Sequence, residues 1–306
     1  MIYALLKILV RFALRIFCSE IRVSGTAGAE IKGACLIVSN HPNSFLDAII
    51  IAAHIKQKIH FLARGDAFKK PIHRKLLGLL NMIPVYRLSE GKEFLHQNQE
   101  AFQQANQILG QNGVVLIFIE GICLHTHELQ PFKKGAARIA LANTATPGFS
   151  VLPLGIAYDS FNRFGKKINM VVGEPIVPAN LFPFVEESKN IRVFNERLFG
   201  EINQRILIPE ENTREKKNRL LLMLPAILGY LLHIPVYRFV QKLVQKKTKG
   251  TVFYDSVLFG SLLLFYPVYL LLLGLFLLLL NLPVWIILPV LIIHPLTAFT
   301  AVRYYR

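Results

Sequence analysis

A histidine and an aspartate, His41 and Asp47, stand with five residues between them in the N-terminal part of the chain. An aspartate that accepts a hydrogen bond from one imidazole nitrogen leaves the other nitrogen as a base, which takes a proton from a hydroxyl group. This pair therefore predicts a dyad that activates a hydroxyl nucleophile. The alternative is a loop histidine beside an aspartate that only stabilises the positive end of a helix dipole.

The flanking sequence indicates which elements position this pair. Residues 35–38 form an apolar, partly β-branched run, which predicts a buried strand. A helix is predicted to begin near Phe45, with Asn43 or Ser44 as its N-cap. The histidine then lies at the carboxyl end of a strand and the aspartate in the first turn of the next helix, where open α/β sheets bind their ligands.

Two further predicted strands end in side chains that suit a substrate site. Arg87 ends the strand predicted at 82–87, and its guanidinium is able to hold a phosphate through two hydrogen bonds. Glu120-Gly121 ends the apolar strand predicted at 113–119, and a carboxylate there binds a substrate hydroxyl or acts as a second acid or base. The alternatives are a surface charge and a turn carboxylate. If these strand ends converge, they form one site.

The predicted strands alternate with predicted helices over residues 20–205. This order indicates an α/β fold with a mixed, largely parallel sheet flanked by helices on both faces. The loop after Gly121 carries His125, His127 and Glu128, but their spacing matches no zinc-binding pattern, so we expect no metal site. The cysteines are scattered at Cys18, Cys35 and Cys123, which favours a reducing compartment without disulfides.

Composition indicates a membrane partner. The 306 residues are 53% hydrophobic, and 35 Lys and Arg against 19 Asp and Glu leave a formal charge of +16. Such a charge suits nucleic acid, an anionic membrane surface or phosphorylated substrates. We find no nucleic-acid-binding motif, and the long apolar segments favour membrane lipid as the partner.

Three segments are predicted to contact the membrane. Residues 1–19 form a helix with Lys7, Arg11 and Arg15 on one face, which is typical of a helix in the membrane interface; a core-packing helix is the alternative. Residues 206–250 are predicted to be a charged linker and an interfacial or re-entrant helix. Residues 251–306 are predicted to be a transmembrane hairpin of two helices. Basic residues before and after the hairpin place both its ends, and the catalytic domain, on the cytoplasmic side.

Four blocks in the chain resemble those of the membrane-bound glycerolipid acyltransferases, of the glycerol-3-phosphate and lysophosphatidic acid acyltransferase type. They occur in the family's order within residues 20–180. The blocks are Val38-Ser39-Asn40-His41 through Asp47, Ile83-Pro84-Val85-Tyr86-Arg87, Phe118-Ile119-Glu120-Gly121 with the basic turn that ends in Lys133-Lys134-Gly135, and Val151-Leu152-Pro153-Leu154-Gly155-Ile156.

The resemblance implies that residues 20–205 are an acyltransferase domain. It would move a fatty acyl chain from acyl-CoA or acyl-carrier protein to a hydroxyl of glycerol 3-phosphate or 1-acylglycerol 3-phosphate in phospholipid synthesis. No metal or other cofactor is implied, because a thioester is already activated. The resemblance implies that His41 is the general base and that Asp47 orients it. Arg87 would bind the phosphate of the acceptor, and Glu120 with Gly121 would bind its glycerol part. Lys133 and Lys134 would make further phosphate contacts.

The sequence departs from the commonest family pattern in three ways. Five residues separate His41 from Asp47 where most members have four, and this longer form resembles the fungal type of glycerol-3-phosphate acyltransferase and its bacterial relatives. Ile119 replaces a proline, and Ile122-Cys123 stands where Thr and Arg are usual. Arg64, Lys133 or Lys134 is predicted to compensate for the missing arginine. The alternatives are acyl transfer to another lyso-lipid, such as a lyso-aminolipid or lysophospholipid, and a catalytically degenerate lipid-binding or scaffold protein.

Overall fold

The computed structural model describes residues 2–26, 31–86, 97–210 and 219–305. Within these ranges a seven-stranded sheet is flanked by helices on both faces. The strands are β1 (Cys18–Gly25), β2 (Cys35–Ser39), β3 (Ile59–Arg64), β4 (Met82–Val85), β5 (Val114–Phe118), β6 (Ser150–Tyr158) and β7 (Lys166–Val172). The helices are α1 (Ile2–Phe17), α2 (Phe45–His54), α3 (Pro71–Leu79), α4 (Gln97–Gly110), α5 (Gly135–Ala142), α6 (Glu187–Asn203), α7 (Arg219–Thr248), α8 (Tyr254–Leu279) and α9 (Val284–Tyr304).

The sheet has the order β1-β7-β6-β2-β5-β3-β4. Strands β6, β2, β5, β3 and β4 run parallel to one another, and the antiparallel pairing of β6 with β7 reverses the direction of β7 and β1. The predicted mixed, largely parallel sheet is therefore confirmed. The carboxyl ends of β2, β5 and β3 lie at one edge, which brings the loops after these strands together.

Strand β2 is buried along its whole length because helices cover both faces of the sheet. Ile37 packs into the core on the side of α1, α2 and α8, where Ile50 and Phe259 also lie. Leu36 packs into the core on the side of α4, α5 and α6. This alternation follows from the two-residue period of a strand, and it places the loop after β2 between the two layers.

Helix α1 forms as predicted, but Lys7 and Arg11 of its basic face contact the protein, whereas Arg15 is exposed. Lys7 donates to the carbonyl oxygens of Ile55 and Lys56, and Arg11 donates to that of Ala53, at the C-terminal end of α2. Cations are favourable there because carbonyl groups at a helix C-terminus carry partial negative charge. The apolar face is turned outward, with exposed side chains that include Leu5, Ile8 and Phe12. Contact of this face with the membrane interface stays a prediction.

Three C-terminal helices, α7, α8 and α9, are long and apolar enough to cross a membrane. Helix α7 contacts α8 through Gln241 and Tyr254, and its Tyr230 ring lies 5.2 Å from that of Tyr305, just after α9. Helix α7 also contacts the middle of both helices, because Nε2 of His233 lies 2.9 Å from the Tyr266 hydroxyl and its ring lies 4.3 Å from that of His294. Its length and composition allow α7 to span a membrane, and the interfacial or re-entrant placement stays a prediction.

Candidate active site

His41 and Asp47 are in contact, with Nδ1 of His41 2.8 Å from Oδ2 of Asp47. His41 lies in the loop between β2 and α2, and Asp47 is in the first turn of α2. The histidine side chain is 17% exposed, whereas the aspartate side chain is fully buried. We assign the Nδ1 proton to this contact, which leaves Nε2, on the opposite edge of the ring, as the nitrogen able to act as a base.

Three donors surround the Asp47 carboxylate. Besides the histidine, the N–H of Asn43 donates to Oδ2 at 2.8 Å, and the hydroxyl of Tyr158 donates to Oδ1 at 2.5 Å. Tyr158 is fully buried in β6. Burial, together with the neighbouring carboxylate, raises the pKa of Tyr158 well above its usual value, so its hydroxyl remains a donor. Both carboxylate oxygens are therefore fixed in orientation.

The N-terminus of α2 differs from the prediction. Ser44 is the N-cap residue, but its side chain makes no capping hydrogen bond, and its φ of 54° and ψ of −141° are unusual for a residue other than glycine. The capping oxygen comes instead from α8, where Ser256 Oγ accepts the N–H of Leu46 at 3.0 Å. Capping by the side chain of Asn43 or Ser44 is therefore wrong, because a residue 210 positions along the chain from Leu46 supplies the acceptor.

Glu120, which follows β5, contacts two loops. One is the loop between β2 and α2 (residues 40–44), which is called the dyad loop below, and the other is the loop that follows Gly121. Oε2 of Glu120 accepts the backbone N–H of His41 at 2.8 Å, and its Oε1 accepts the N–H of Gln130 at 2.9 Å. Burial raises the pKa of Glu120, and these two N–H donors partly oppose that rise. Phe118, the last residue of β5, stacks on His41 with ring centroids 3.8 Å apart. The carboxylate and the ring thus hold the histidine from two sides.

The basic turn before α5 lies beside Gly121. Gly121 has a φ of +63°, and a Cβ at this position would come within 3.0 Å of Cγ of Lys133. The N–H of Lys133 donates to the carbonyl of Ile119 at 2.9 Å, which holds the turn against the end of β5. The side chains of Lys133 and Lys134 are exposed, so both cations are accessible to a ligand next to the dyad loop.

The two predicted arginines have different outcomes. Arg87 lies outside the described residues, so its phosphate contact stays a prediction. Arg64 ends β3 at the same edge of the sheet as the dyad loop, but it forms an ion pair with Asp66 in the 3-10 helix Gly65–Phe68. A substrate phosphate at Arg64 would have to compete with this carboxylate.

The histidines of the following loop make structural contacts. Nε2 of His125 lies 3.2 Å from the carbonyl oxygen of Val252, and Nε2 of His127 accepts the N–H of Tyr158 at 3.2 Å. Both rings pack against Phe161. In the part of the chain that the structure describes, no three His, Cys, Asp or Glu side chains are grouped as metal ligands.

Comparison with known proteins agrees with the sequence motifs. A family model described as "Acyltransferase" matches residues 20–157, which contain the dyad and Glu120. Residues 20–157 form an acyltransferase-family domain. The predicted family is therefore confirmed for this domain, and the dyad loop, the basic turn and most of β6 lie within it.

Individual relatives are distant. The chloroplastic 1-acyl-sn-glycerol-3-phosphate acyltransferase BAT2 of Brassica napus is 26% identical over 121 residues, which cover 40% of this chain and 33% of the relative. The chain thus spans about a third of the length of that relative. The crystal structure of the 1-acyl-sn-glycerophosphate (LPA) acyltransferase PlsC from Thermotoga maritima has a TM-score of 0.46 and 21% identity, and the match covers 65% of this chain and 78% of that chain.

Proposed function

We propose that the protein is a membrane O-acyltransferase of phospholipid synthesis. It transfers a fatty acyl chain from acyl-CoA or acyl-carrier protein to a hydroxyl of glycerol 3-phosphate or 1-acylglycerol 3-phosphate. The contact between His41 and Asp47 carries this proposal, because a histidine oriented by a carboxylate is the base that such a transfer needs. The apolar helices α8 and α9 support a membrane location, where a 1-acyl acceptor resides.

In the proposed reaction, Nε2 of His41 takes the proton of the acceptor hydroxyl while the hydroxyl oxygen attacks the thioester carbonyl carbon. Asp47 keeps Nδ1–H oriented and stabilises the imidazolium that forms. The tetrahedral intermediate then collapses, the C–S bond breaks, and the proton on Nε2 passes to the leaving sulfur. The products are an ester and a free thiol, and the imidazole is neutral again. Because the thioester is already activated, these steps require neither a metal nor another cofactor.

Several residues are proposed to hold the acceptor. Glu120 and Gly121 border the dyad loop, and each carboxylate oxygen of Glu120 keeps a lone pair beyond its backbone contact. Lys133 and Lys134 supply accessible positive charge at the same edge of the sheet. These positions suit the glycerol part and the phosphate of the acceptor, respectively.

A second acceptor class is favoured by two observations. Arg64 is paired with Asp66, and Ile122-Cys123 stands where the family usually has Thr and Arg, so phosphate-binding groups are fewer at this site. This arrangement suits transfer to another lyso-lipid, such as a lyso-aminolipid or a lysophospholipid. The dyad and its chemistry would be the same in both cases.

An apolar cavity is proposed to hold a lipid chain, and neither His41 nor Asp47 is among its lining residues. It has a volume of about 640 Å³ and lies between α1 and helices α7, α8 and α9. Its lining includes Phe12, Phe17, Phe259 and Ala298. Apolar walls of this kind suit a hydrocarbon chain.

The catalytic domain is proposed to lie on the cytoplasmic side. Lys246, Lys247 and Lys249 precede α8, and Arg303 lies in the last turn of α9. The start of α8 and the end of α9 are at the same end of the hairpin, so these basic residues share one side. The excess of Lys and Arg on cytoplasmic segments supports this orientation.

The proposal is tested by acyl transfer with the full-length protein in membranes. Labelled acyl-CoA and acyl-carrier protein serve as donors, and glycerol 3-phosphate, lysophosphatidic acid and a neutral lyso-lipid serve as acceptors. His41→Ala is compared with the control His60→Asn, because His60 lies in β3 away from its carboxyl end.

Product from a phosphate acceptor that is lost in His41→Ala supports the proposal, and product only from the neutral acceptor supports the second class. Equal transfer by wild type and His41→Ala would contradict the dyad chemistry. Absence of transfer to every acceptor would favour the lipid-binding or scaffold alternative.

The phosphate contacts are tested separately by single replacements with alanine at Arg64, Arg87, Lys133 and Lys134. Loss of a charge-assisted contact raises the KM for a phosphate acceptor by about tenfold or more, with less effect on kcat. An unchanged acceptor KM would remove that residue from the proposed phosphate site.

A further inference from the structure

The first turn of α8 docks on the loop that carries His41. Asp255 is fully buried, and its Oδ2 accepts a hydrogen bond from the side-chain amide of Asn43 at 2.8 Å. The same oxygen forms an ion pair with Lys166 of β7, whose side chain is also fully buried. Three segments that are distant in the sequence thus meet at one carboxylate.

Ser256, the next residue of α8, adds two contacts to the same region. Its Oγ accepts the N–H of Leu46 at 3.0 Å, and its hydroxyl donates to the carbonyl of Asn43 at 3.3 Å. The family model ends at residue 157, so neither Ser256 nor Asp255 belongs to the matched domain. A helix outside that domain therefore contacts both the side chain and the backbone of the dyad loop.

Asn43 links α8 to the dyad. Its side chain contacts Asp255, and its backbone N–H donates to Oδ2 of Asp47 at 2.8 Å, the oxygen that also contacts His41. A shift of Asn43 would therefore move a donor away from the carboxylate that orients the base. Ser44, the next residue, has an unusual backbone conformation, so the loop needs contacts from outside to hold it in place.

Burying the ion pair of Asp255 and Lys166 costs free energy of hydration. A charged residue at the start of an apolar helix and a buried lysine each lose hydration, and a buried pair adds little stability over an apolar pair of the same size. Burial lowers the pKa of Lys166, and the Asp255 carboxylate opposes that shift. Lys166 compensates the charge of Asp255, and Asp255 supplies an acceptor that an apolar residue would lack.

We propose that Asp255 is a positioning residue for the dyad. Acting through Asn43, it holds the loop of His41 so that the contact with Asp47 forms only when α8 is seated on the domain. Acyl transfer thereby depends on the packing of a candidate membrane-spanning helix. This inference rests on the proposed acyl transfer and adds to it a residue that the sequence motifs do not contain.

Two double variants of the full-length protein separate positioning from folding. Asp255→Asn/Lys166→Met and Asp255→Leu/Lys166→Met both remove the two buried charges, but only asparagine keeps an oxygen that accepts the Asn43 amide. Both variants are compared with wild type in membranes for kcat, the KM of donor and acceptor, and Tm. Asn43→Ala provides an independent test, because it removes the same hydrogen bond and leaves α8 unaltered.

We expect the leucine variant to lose about tenfold to a hundredfold in kcat, with KM values within about threefold of wild type. The asparagine variant keeps kcat within about threefold and has a similar Tm, because the acceptor is retained. Asn43→Ala loses as much kcat as the leucine variant, and combining the two sets of changes gives no further loss, because both act on one contact.

Three results would overturn the inference. These are equal kcat in the two double variants, wild-type kcat in Asn43→Ala, and additive losses when the changes are combined. If the leucine variant does not fold, Asn43→Ala alone decides the question. A wild-type protein without acyl transfer would overturn the proposed function and this role with it, whereas an active wild type with an equally active leucine variant would overturn only this role.

Discussion

Replacing Asp47 with asparagine would remove the negative charge beside His41 while keeping the size of the side chain. The asparagine oxygen is able to accept the N–H of Asn43, and its amide is able to donate to the oxygen of Tyr158, so most of the present hydrogen bonds have a substitute. We therefore expect the variant to fold. What it lacks is the charge that stabilises the imidazolium formed during proton transfer.

The contact distance sets the size of the effect. Nδ1 of His41 and Oδ2 of Asp47 are 2.8 Å apart, which places the centres of the two charges somewhat farther apart. At a separation of about 4 Å and an effective dielectric constant of about 20, two unit charges interact by about 4 kcal/mol. Losing this stabilisation in the transition state lowers kcat about a thousandfold.

The assay is acyl transfer by the purified protein in lipid nanodiscs, with kcat and KM measured for each donor and acceptor. Glu196→Gln is the matched control, because it changes an exposed carboxylate of α6 to an amide. The control keeps its kcat, and both variants keep their Tm. A folded Asp47→Asn protein with kcat within about tenfold of wild type would refute the role of the charge.

Four further results are expected from the same structure. Tyr158→Phe lowers the free energy of unfolding by about 1.5–3 kcal/mol, because it removes a donor from a buried carboxylate, and denaturant titration measures this loss. Glu120→Gln destabilises by about 1–3 kcal/mol and lowers kcat, because its amide group would face a backbone N–H donor; unchanged stability and kcat would contradict this. Burial and the nearby cations of α1 lower the pKa of His54 in the folded protein below 6.5. Protonation of this histidine therefore favours the unfolded chain, and stability falls as the pH drops below that value. His54→Gln is expected to give a flatter dependence of Tm on pH. Ala298→Trp fills part of the apolar cavity and lowers kcat with long-chain acyl donors relative to medium-chain ones, as donor competition would show.

Local pattern was enough to predict much of the fold. The short apolar runs at β2 and β5 end within one residue of the predicted positions, because strands buried on both faces need continuous apolar residues. The pairing of His41 with Asp47 was also predictable, since a loop that joins a strand to a helix has few ways to place two residues so close in sequence. The acyltransferase domain follows from the same local motifs.

Contacts between distant segments were decided only by the tertiary structure. Tyr158 is 111 residues from Asp47, and Asp255 is 212 residues from Asn43, so no local spacing relates them. The basic stripe of α1 shows the same limit. Its periodicity predicts which residues share a face, but the packing of α1 on α2 determines that Lys7 and Arg11 of this face meet carbonyl groups. Periodicity encodes which side chains point together, whereas the partner of that face depends on how the whole chain packs.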